Sequence, residues 1–246
     1  YDLKKELSNS TYNELVENCN VIFICIPTPM NKDGSCNIDL VKKVLSKLND
    51  ETSAIVVNKS TIPPGCTEQF NNQFKNLKII FNPEFLTERN AIEDFNKQDR
   101  IILGGPRPAT TELKQIYSIV FPNAYVIKTG STHAEMIKYF TNAFLVTKVT
   151  FANEMHELCD ALNLDYDKVV EYATLDSRLG KSHWAVPGPD GDYGFGGHCF
   201  PKDLSAIIKM TNDLKTTNNI LKSAKKTNDK VRKNRDWEQM KGRAVN

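Results

Sequence analysis

The chain of 246 residues holds no apolar run long enough to cross a bilayer, which takes about 20 consecutive apolar residues. It holds no C-x-x-C pair: Cys19, Cys25, Cys36, Cys66, Cys159 and Cys199 lie far apart. With four histidines and no clustered ligand spacing, no metal site is expected. Scattered thiols of this kind are expected to be reduced and point to a cytoplasmic protein, most of them serving as small core residues. The start, YDLKKELSNS, lacks the charged-then-apolar pattern of a signal peptide. No G-x-G-x-x-G follows an apolar run, so the strongest dinucleotide signature is missing. Neither sign of charge dominates: 32 Lys and Arg stand against 30 Asp and Glu. That balance, with 40% hydrophobic residues, indicates a globular chain rather than a disordered one.

What is present alternates. VIFICI (21–26), AIVVNKS (54–60), KIIFNP (78–83), RIILGG (100–105) and AYVIKT (124–129) have the composition of buried strands. Between them, IDLVKKVLSKL (38–48), residues 65–74 and TELKQIYSIVF (111–121) have helical patterns. Short β-rich runs separated by helices predict an α/β fold with a parallel sheet and crossover helices. Ligands in such sheets bind at the carboxyl ends of the strands. Those ends carry PTP (27–29), STIPP (60–64) and NPEFLTE (82–88). The second half reads as helical. Thr132 and Glu135 form a T-x-x-E capping box ahead of a long helix reaching about residue 162. DYDKVVEYATL (165–175) is a shorter helix, another begins at Pro201, and the last follows about Thr216. The expected domains are 1–130, a partial Rossmann-like unit, and 131–246, an all-helical unit. The absence of an initiator Met and the polar ending, VRKNRDWEQMKGRAVN, are expected of a fragment.

Four features could carry chemistry. The loop 180–198 holds six of the twelve glycines and ends in GFGGHCFPKD. Pro201 suits the first turn of a helix, which sets Cys199 at the helix N-terminus, where unpaired N–H groups favour a thiolate. Lys202 and Asp203 follow within about one turn, an arrangement suited to covalent catalysis; a buried structural cysteine is the alternative. Lys138 and Asn142, at i and i+4, share a helix face and could hold an oxyanion, or simply face solvent. Thr28, Ser60, Thr61, Glu84 and Glu88 follow strands and could face a dinucleotide, or serve as ordinary turn residues. From Lys222 to Arg243, nine basic residues stand against three acidic ones. Interspersed acids and the lack of alternating aromatics favour a solvated or subunit-contact face, with no nucleic-acid partner.

The segments VIFICIPTP, KSTIPPG, NPEFLTE, EMIKYFTNAF, the glycine loop and GFGGHCFPKD occur in an order that resembles the UDP-glucose/GDP-mannose dehydrogenase family through nearly the whole chain. The resemblance implies NAD as cofactor and a UDP-sugar as substrate, UDP-glucose preferred, with GDP-mannose or a UDP-N-acetylamino sugar as alternatives. It implies two successive oxidations at C6, the first giving an aldehyde that Cys199 traps as a thiohemiacetal, the second a thioester that water hydrolyses. Lys138 and Asn142 become the oxyanion pair, Asp203 and Thr61 position water, and Glu84 is the acid/base group. Glu84, Phe85, Leu86, Glu88, Lys138, Asn142, Phe195, Gly196 and Gly197 bind the sugar nucleotide, and Arg178 reaches the substrate of a neighbouring subunit. Asp2, Thr28, Ser60, Thr61, Glu88 and Lys202 are set against NAD. A homodimer or higher homo-oligomer is implied through the long helix and the last helix, with no membrane partner. The family's N-terminal Gly-rich segment and its third domain have no counterpart in these residues.

Two other readings compete. A simple hydroxyacid dehydrogenase would share a K-x-x-x-N helix pair but needs no cysteine. A non-catalytic assembly or nucleic-acid-binding module would use the basic stretch and bind neither NAD nor a sugar nucleotide.

Overall fold

The computed structural model describes residues 1–2, 4–87 and 89–246; Glu88, one of the expected site residues, lies outside them. The chain divides into two compact units, one of residues 1–28 and 38–138, the other of residues 29–37 and 139–246.

The first unit is built on five strands: β1 (Val21–Ile24), β2 (Ile55–Asn58), β3 (Lys78–Phe81), β4 (Arg100–Gly104) and β5 (Tyr125–Thr129). They lie in the order β1-β2-β3-β4-β5. β1, β2 and β3 pair in parallel, as do β4 and β5. The expected all-parallel sheet is interrupted once: β3 and β4 run antiparallel and meet only at Phe81 and Gly104. The five helices of this unit that precede the long one are α1 (Tyr12–Asn18), α2 (Asp39–Leu48), α3 (Cys66–Gln73), α4 (Ala91–Asn96) and α5 (Arg107–Val120).

Side chains alternate across a strand, and the two sheet faces follow that period. Ile22, Ile24, Val56, Ile79, Phe81 and Ile102 pack on one face with Val41, Leu45 and Leu48 of α2 and Phe70 of α3. Ile55, Val57, Ile80, Ile101 and Leu103 pack on the other with Ala109, Leu113 and Tyr117 of α5. Helices cover both faces, which explains the near-continuous apolar strands. α5 begins four residues before the expected Thr111. Pro106 is its N-cap and Pro108 sits in its first turn, where a missing N–H costs nothing.

The long helix, α6 (Ser131–Ala161), starts in the first unit and continues into the second. The second unit adds α7 (Tyr166–Ala173), α8 (Phe200–Asp213) and α9 (Asn219–Val231). Tyr139 and Val146 of α6 pack with Phe195 and with Leu204, Ala206 and Ile207 of α8. Ala152 and Cys159 pack with Tyr166 and Val186. Residues 29–37 join this unit: the Met30 N–H donates to Ala244 O at 2.8 Å, and the Asn246 N–H to Met30 O at 2.9 Å. Among the described residues no helix is long and apolar enough to cross a membrane.

The expected capping box at Thr132 and Glu135 does not form. Glu135 is fully buried and caps a different helix. It accepts from the Gly65 N–H at 2.5 Å and from the Thr67 N–H and hydroxyl at 2.7 and 2.6 Å. It thereby satisfies the open N–H groups of α3, whose own N-cap is a glycine with no side chain. Burial pushes the Glu135 carboxyl up, against the pull of the Thr67 and Gly65 hydrogen bonds. A capping box does form at Thr11 and Glu14, where it opens α1: the Glu14 N–H donates to Thr11 Oγ1 and the Thr11 N–H to Glu14 Oε2.

Candidate active site

In the second unit the residues around Cys199 converge. Cys199 is the N-cap of α8, followed by Phe200 and Pro201 in the first turn. Its carbonyl accepts from the Asp203 N–H at 3.0 Å, closing that turn. Asp203 is 2% exposed. One of its oxygens accepts from the Lys202 ammonium at 2.6 Å, the other from the Asn142 amide at 2.6 Å. A buried carboxylate is stable only with such partners. Burial works against the charge on Lys202, but Asp203 beside it outweighs that and raises the Lys202 pKa. Cys36 and Cys199 lie close enough to add to the same effect. The arrangement is a thiol at a helix N-terminus one turn ahead of a fully paired carboxylate. Lys202, set against the cofactor by the family resemblance, is buried and gives its ammonium to Asp203.

The preceding loop is irregular and tightly held. Lys148, a residue the sequence patterns did not single out, is buried and donates to the carbonyls of Leu179 and Gly180 at 2.9 and 3.3 Å. Its ammonium lies 4.5 Å from the centre of the Trp184 ring, and burial lowers its pKa. Phe195 is buried and meets Phe200 edge to face. Gly196 and Gly197 lie against the side chains of Arg232 and Asp236. Arg178 follows Asp176, to which it is paired, with its side chain 85% exposed.

In the first unit a second group of residues gathers at the carboxyl ends of β1, β2 and β3. Glu84 forms an ion pair with Lys59 at 2.9 Å. Lys59 also donates to Asn82 Oδ1 at 3.1 Å, which accepts from the Tyr117 hydroxyl as well. Lys138 donates to the backbone carbonyl of Glu84 at 2.5 Å and stands 5.4 Å from the centre of the Phe85 ring. Glu84, Phe85 and Leu86 line a cavity of about 380 Å³ with Arg100, which stacks over Phe85. Cys25 is exposed as a residue, but partial desolvation of its thiol pushes the pKa up, and Glu84 adds to this while Lys59 opposes it. Lys59, Asn82, Cys25 and Tyr117 were missed by the motif reading. Their signal is positional: each of the first three lies at or just past a strand end.

Thr28, Ser60 and Thr61 occupy the turns after β1 and β2. The Thr28 hydroxyl donates to Thr61 O at 2.7 Å. Ser60 Oγ accepts from the Ile26 N–H at 3.0 Å and keeps its own proton to donate. Both side chains are buried and knit the turns together. Asp2 is exposed and caps the Lys4 N–H at 2.8 Å. Lys138 and Asn142 lie one turn apart on α6, and each has a protein partner, the Glu84 carbonyl and the Asp203 carboxylate.

Four of the nine basic residues between Lys222 and Arg243 pair with acids. Arg232 is buried among Asp190, Asp192 and Asp236. Lys225, Lys230 and Arg235 each pair with an acid.

Residues 2–121 match the NAD binding domain of the UDP-glucose/GDP-mannose dehydrogenase family, and residues 132–230 match its central domain. The UDP-glucose 6-dehydrogenase of Rickettsia bellii is 34% identical over 227 residues, covering 89% of this chain and 51% of that protein. A UDP-glucose dehydrogenase structure from the hyperthermophilic archaeon Pyrobaculum islandicum superposes with a TM-score of 0.80 at 33% identity, covering 89% of this chain and 52% of the other. The GDP-mannose dehydrogenase structure from Pseudomonas aeruginosa gives 0.63 at 28% identity, covering 89% and 53%. The chain spans about half the length of the curated relatives it matches.

Proposed function

Because the chain belongs to the UDP-glucose/GDP-mannose dehydrogenase family, we propose that the protein oxidises C6 of UDP-glucose twice, to UDP-glucuronate, with NAD as oxidant and Cys199 as nucleophile. The observation that carries this reading is the Cys199–Asp203–Asn142–Lys202 arrangement at the start of α8. A dehydrogenase that stops at one oxidation has no need of it.

NAD, when bound, supplies the hydride acceptor for each of the two oxidations. The chain's own residues fit one: the parallel strands β1 and β2 end in turns built by Thr28, Ser60 and Thr61, and Ser60 retains a hydroxyl proton for an outside acceptor. Asp2 offers an exposed carboxylate of the kind that binds a ribose, and Glu88 and Lys202 complete the proposed set.

Cys199 Sγ bonds to C6 of the aldehyde, and the thiol proton ends on the former carbonyl oxygen. Loss of a second hydride and that proton leaves a thioester. Water then adds to the carbonyl carbon, the C–S bond breaks, and the thiolate regains a proton. Lys138 and Asn142 stabilise the negative oxygen as it forms. Asp203 and Thr61 are the proposed water-orienting residues. Glu84 manages the proton of the substrate alcohol and is held in place by Lys59. Phe85 and Leu86 of the first unit, and Phe195, Gly196 and Gly197 of the second, are the residues assigned to the sugar nucleotide. Arg178, exposed and paired with Asp176, is assigned to the substrate of a neighbouring subunit. GDP-mannose and UDP-N-acetylamino sugars are the alternative substrates. The protein works as a homodimer in the cytoplasm.

Stoichiometry tests the reading. The full-length protein given UDP-glucose and NAD should form two NADH per uronate, with no aldehyde accumulating. One NADH per stable carbonyl product would overturn it.

A further inference from the structure

Three side chains from outside the glycine loop, two of them buried and one half-buried, grip the backbone just ahead of Cys199. Asn228 of α9, 2% exposed, accepts from the Phe195 N–H at 2.7 Å and donates to the Phe195 carbonyl at 3.1 Å. Asn153 of α6, 4% exposed, accepts from the Gly194 N–H at 3.0 Å. Asp236 accepts from the Gly197 N–H with both oxygens, at 3.2 and 3.0 Å. Arg232, 5% exposed, stands behind Asp236 at 3.4 Å and behind Asp190, on the earlier part of the same loop, at 2.6 Å. A side-chain amide that returns both bonds of one residue imitates a strand partner, and it fixes that residue's peptide planes.

The glycines record how close this grip is. Gly194 has a φ of +67°, and a Cβ there would collide with the Asn228 amide. A Cβ on Gly196 would collide with the Arg232 guanidinium and lie 2.5 Å from Asp236 Oδ1. These two glycines are therefore explained by the protein's own polar side chains, without a ligand.

We infer that Asn228, Arg232 and Asp236 are positioning residues for Cys199: by clamping residues 194–197 they fix where the chain enters α8 and so where the thiol stands relative to the helix N-terminus and Asp203. None of the three touches the reacting atoms. Their contribution is pre-organisation, which acts on the rate of the chemical step rather than on binding. This inference deepens the proposed function in respect of Cys199, and its primary test does not depend on that function.

The test is the rate of alkylation by iodoacetamide of each cysteine in the full-length protein, resolved peptide by peptide. Cys199 is partly accessible, Cys25 is exposed, and Cys66 and Cys159 are buried. Cys25 therefore serves as an internal reference and the buried pair reports unfolding. In Asp236→Asn, which keeps the shape but weakens the link to Arg232 and Gly197, Cys199 should react at least fivefold more slowly. Cys25 should stay within twofold, and Cys66 and Cys159 should stay protected. Asn228→Asp, which replaces the amide donor with an acceptor, should do the same. A Cys199 rate within twofold of wild type in Asp236→Asn overturns the inference. So does labelling of Cys66 and Cys159 in that variant, since the effect is then global and not a local clamp. A second readout uses turnover: kcat should fall at least tenfold while KM for UDP-glucose stays within threefold. If wild type forms no NADH from UDP-glucose, the proposed function fails and the alkylation result still decides the clamp.

Discussion

At the scale of single residues, Cys199 and His183 make contrasting demands. Cys199 sits at a helix N-terminus one turn ahead of a carboxylate with two buried partners. Removing Lys202 leaves Asp203 with an unmet charge, and breaking a buried pair in this way costs about 3–5 kcal/mol. Lys202→Met is therefore expected to lower both stability and turnover, measured by urea unfolding and by NADH formation. Lys202→Arg should recover much of the stability, since it restores the charge. His183 is the opposite case. It is partly buried, its Nδ1 has no hydrogen-bond partner among the described residues, and burial, with Lys148 nearby, lowers its pKa. In the unfolded chain a histidine titrates near 6.5. Below that pH the unfolded state takes up a proton that the folded state refuses, so His183 costs stability on acidification and nothing above it. Replacing it with Gln should flatten the loss of stability between about pH 6.5 and pH 5. An unchanged slope in denaturation midpoint against pH would contradict this.

At the scale of elements, the strands were legible and the direction of one was not. Each of the five apolar runs became a strand, because a strand buried on both faces has to be apolar throughout. Direction depends on how a connection returns. Nothing in RIILGG announces that β4 runs against β3. α1 was overlooked although Thr11 and Glu14 spell its capping box, while the same pattern at Thr132 and Glu135 was read as a cap and is not one. The difference is tertiary: Glu135 finds better donors 70 residues away in sequence at the bare N-terminus of α3. Glu135→Ala should therefore leave three donors unmet, the two of Thr67 buried and that of Gly65 half-buried, and destabilise the protein by about 2 kcal/mol or more, at about 1 kcal/mol or more for each buried one. A change below about 1 kcal/mol in urea unfolding would show that water replaces the carboxylate. The glycine loop was legible as a special segment, but its grip by Asn228 and Arg232 was not. Those residues lie in a stretch whose composition reads as a solvated basic face, and only folding reveals which arginine turns inward.

At the scale of the whole molecule, the second unit presents an apolar stripe on α6. Phe140 is 67% exposed and Phe144 61%, with Phe151 and Leu158 continuing the stripe. Exposed aromatics at helical spacing favour association, which agrees with the proposed homodimer. Phe144→Glu should shift the sedimentation equilibrium toward monomer; an unchanged mass would place the interface elsewhere. The motifs that announced the chemistry are spread along the sequence, from PTP at 27–29 to CFPKD at 199–203, and the family's two matched domains account for most of the residues between them. The central claim, that Cys199 holds the sugar covalently from the aldehyde through the second oxidation, is tested most directly with Cys199→Ser in the full-length protein. Serine can add to the aldehyde, but the resulting ester hydrolyses far more slowly than a thioester. Incubated with UDP-glucose and NAD, the variant should gain the mass of the oxidised sugar nucleotide on the peptide bearing residue 199, with near-zero release of uronate. Uronate formed at the wild-type rate, with no adduct on that peptide, would contradict the account.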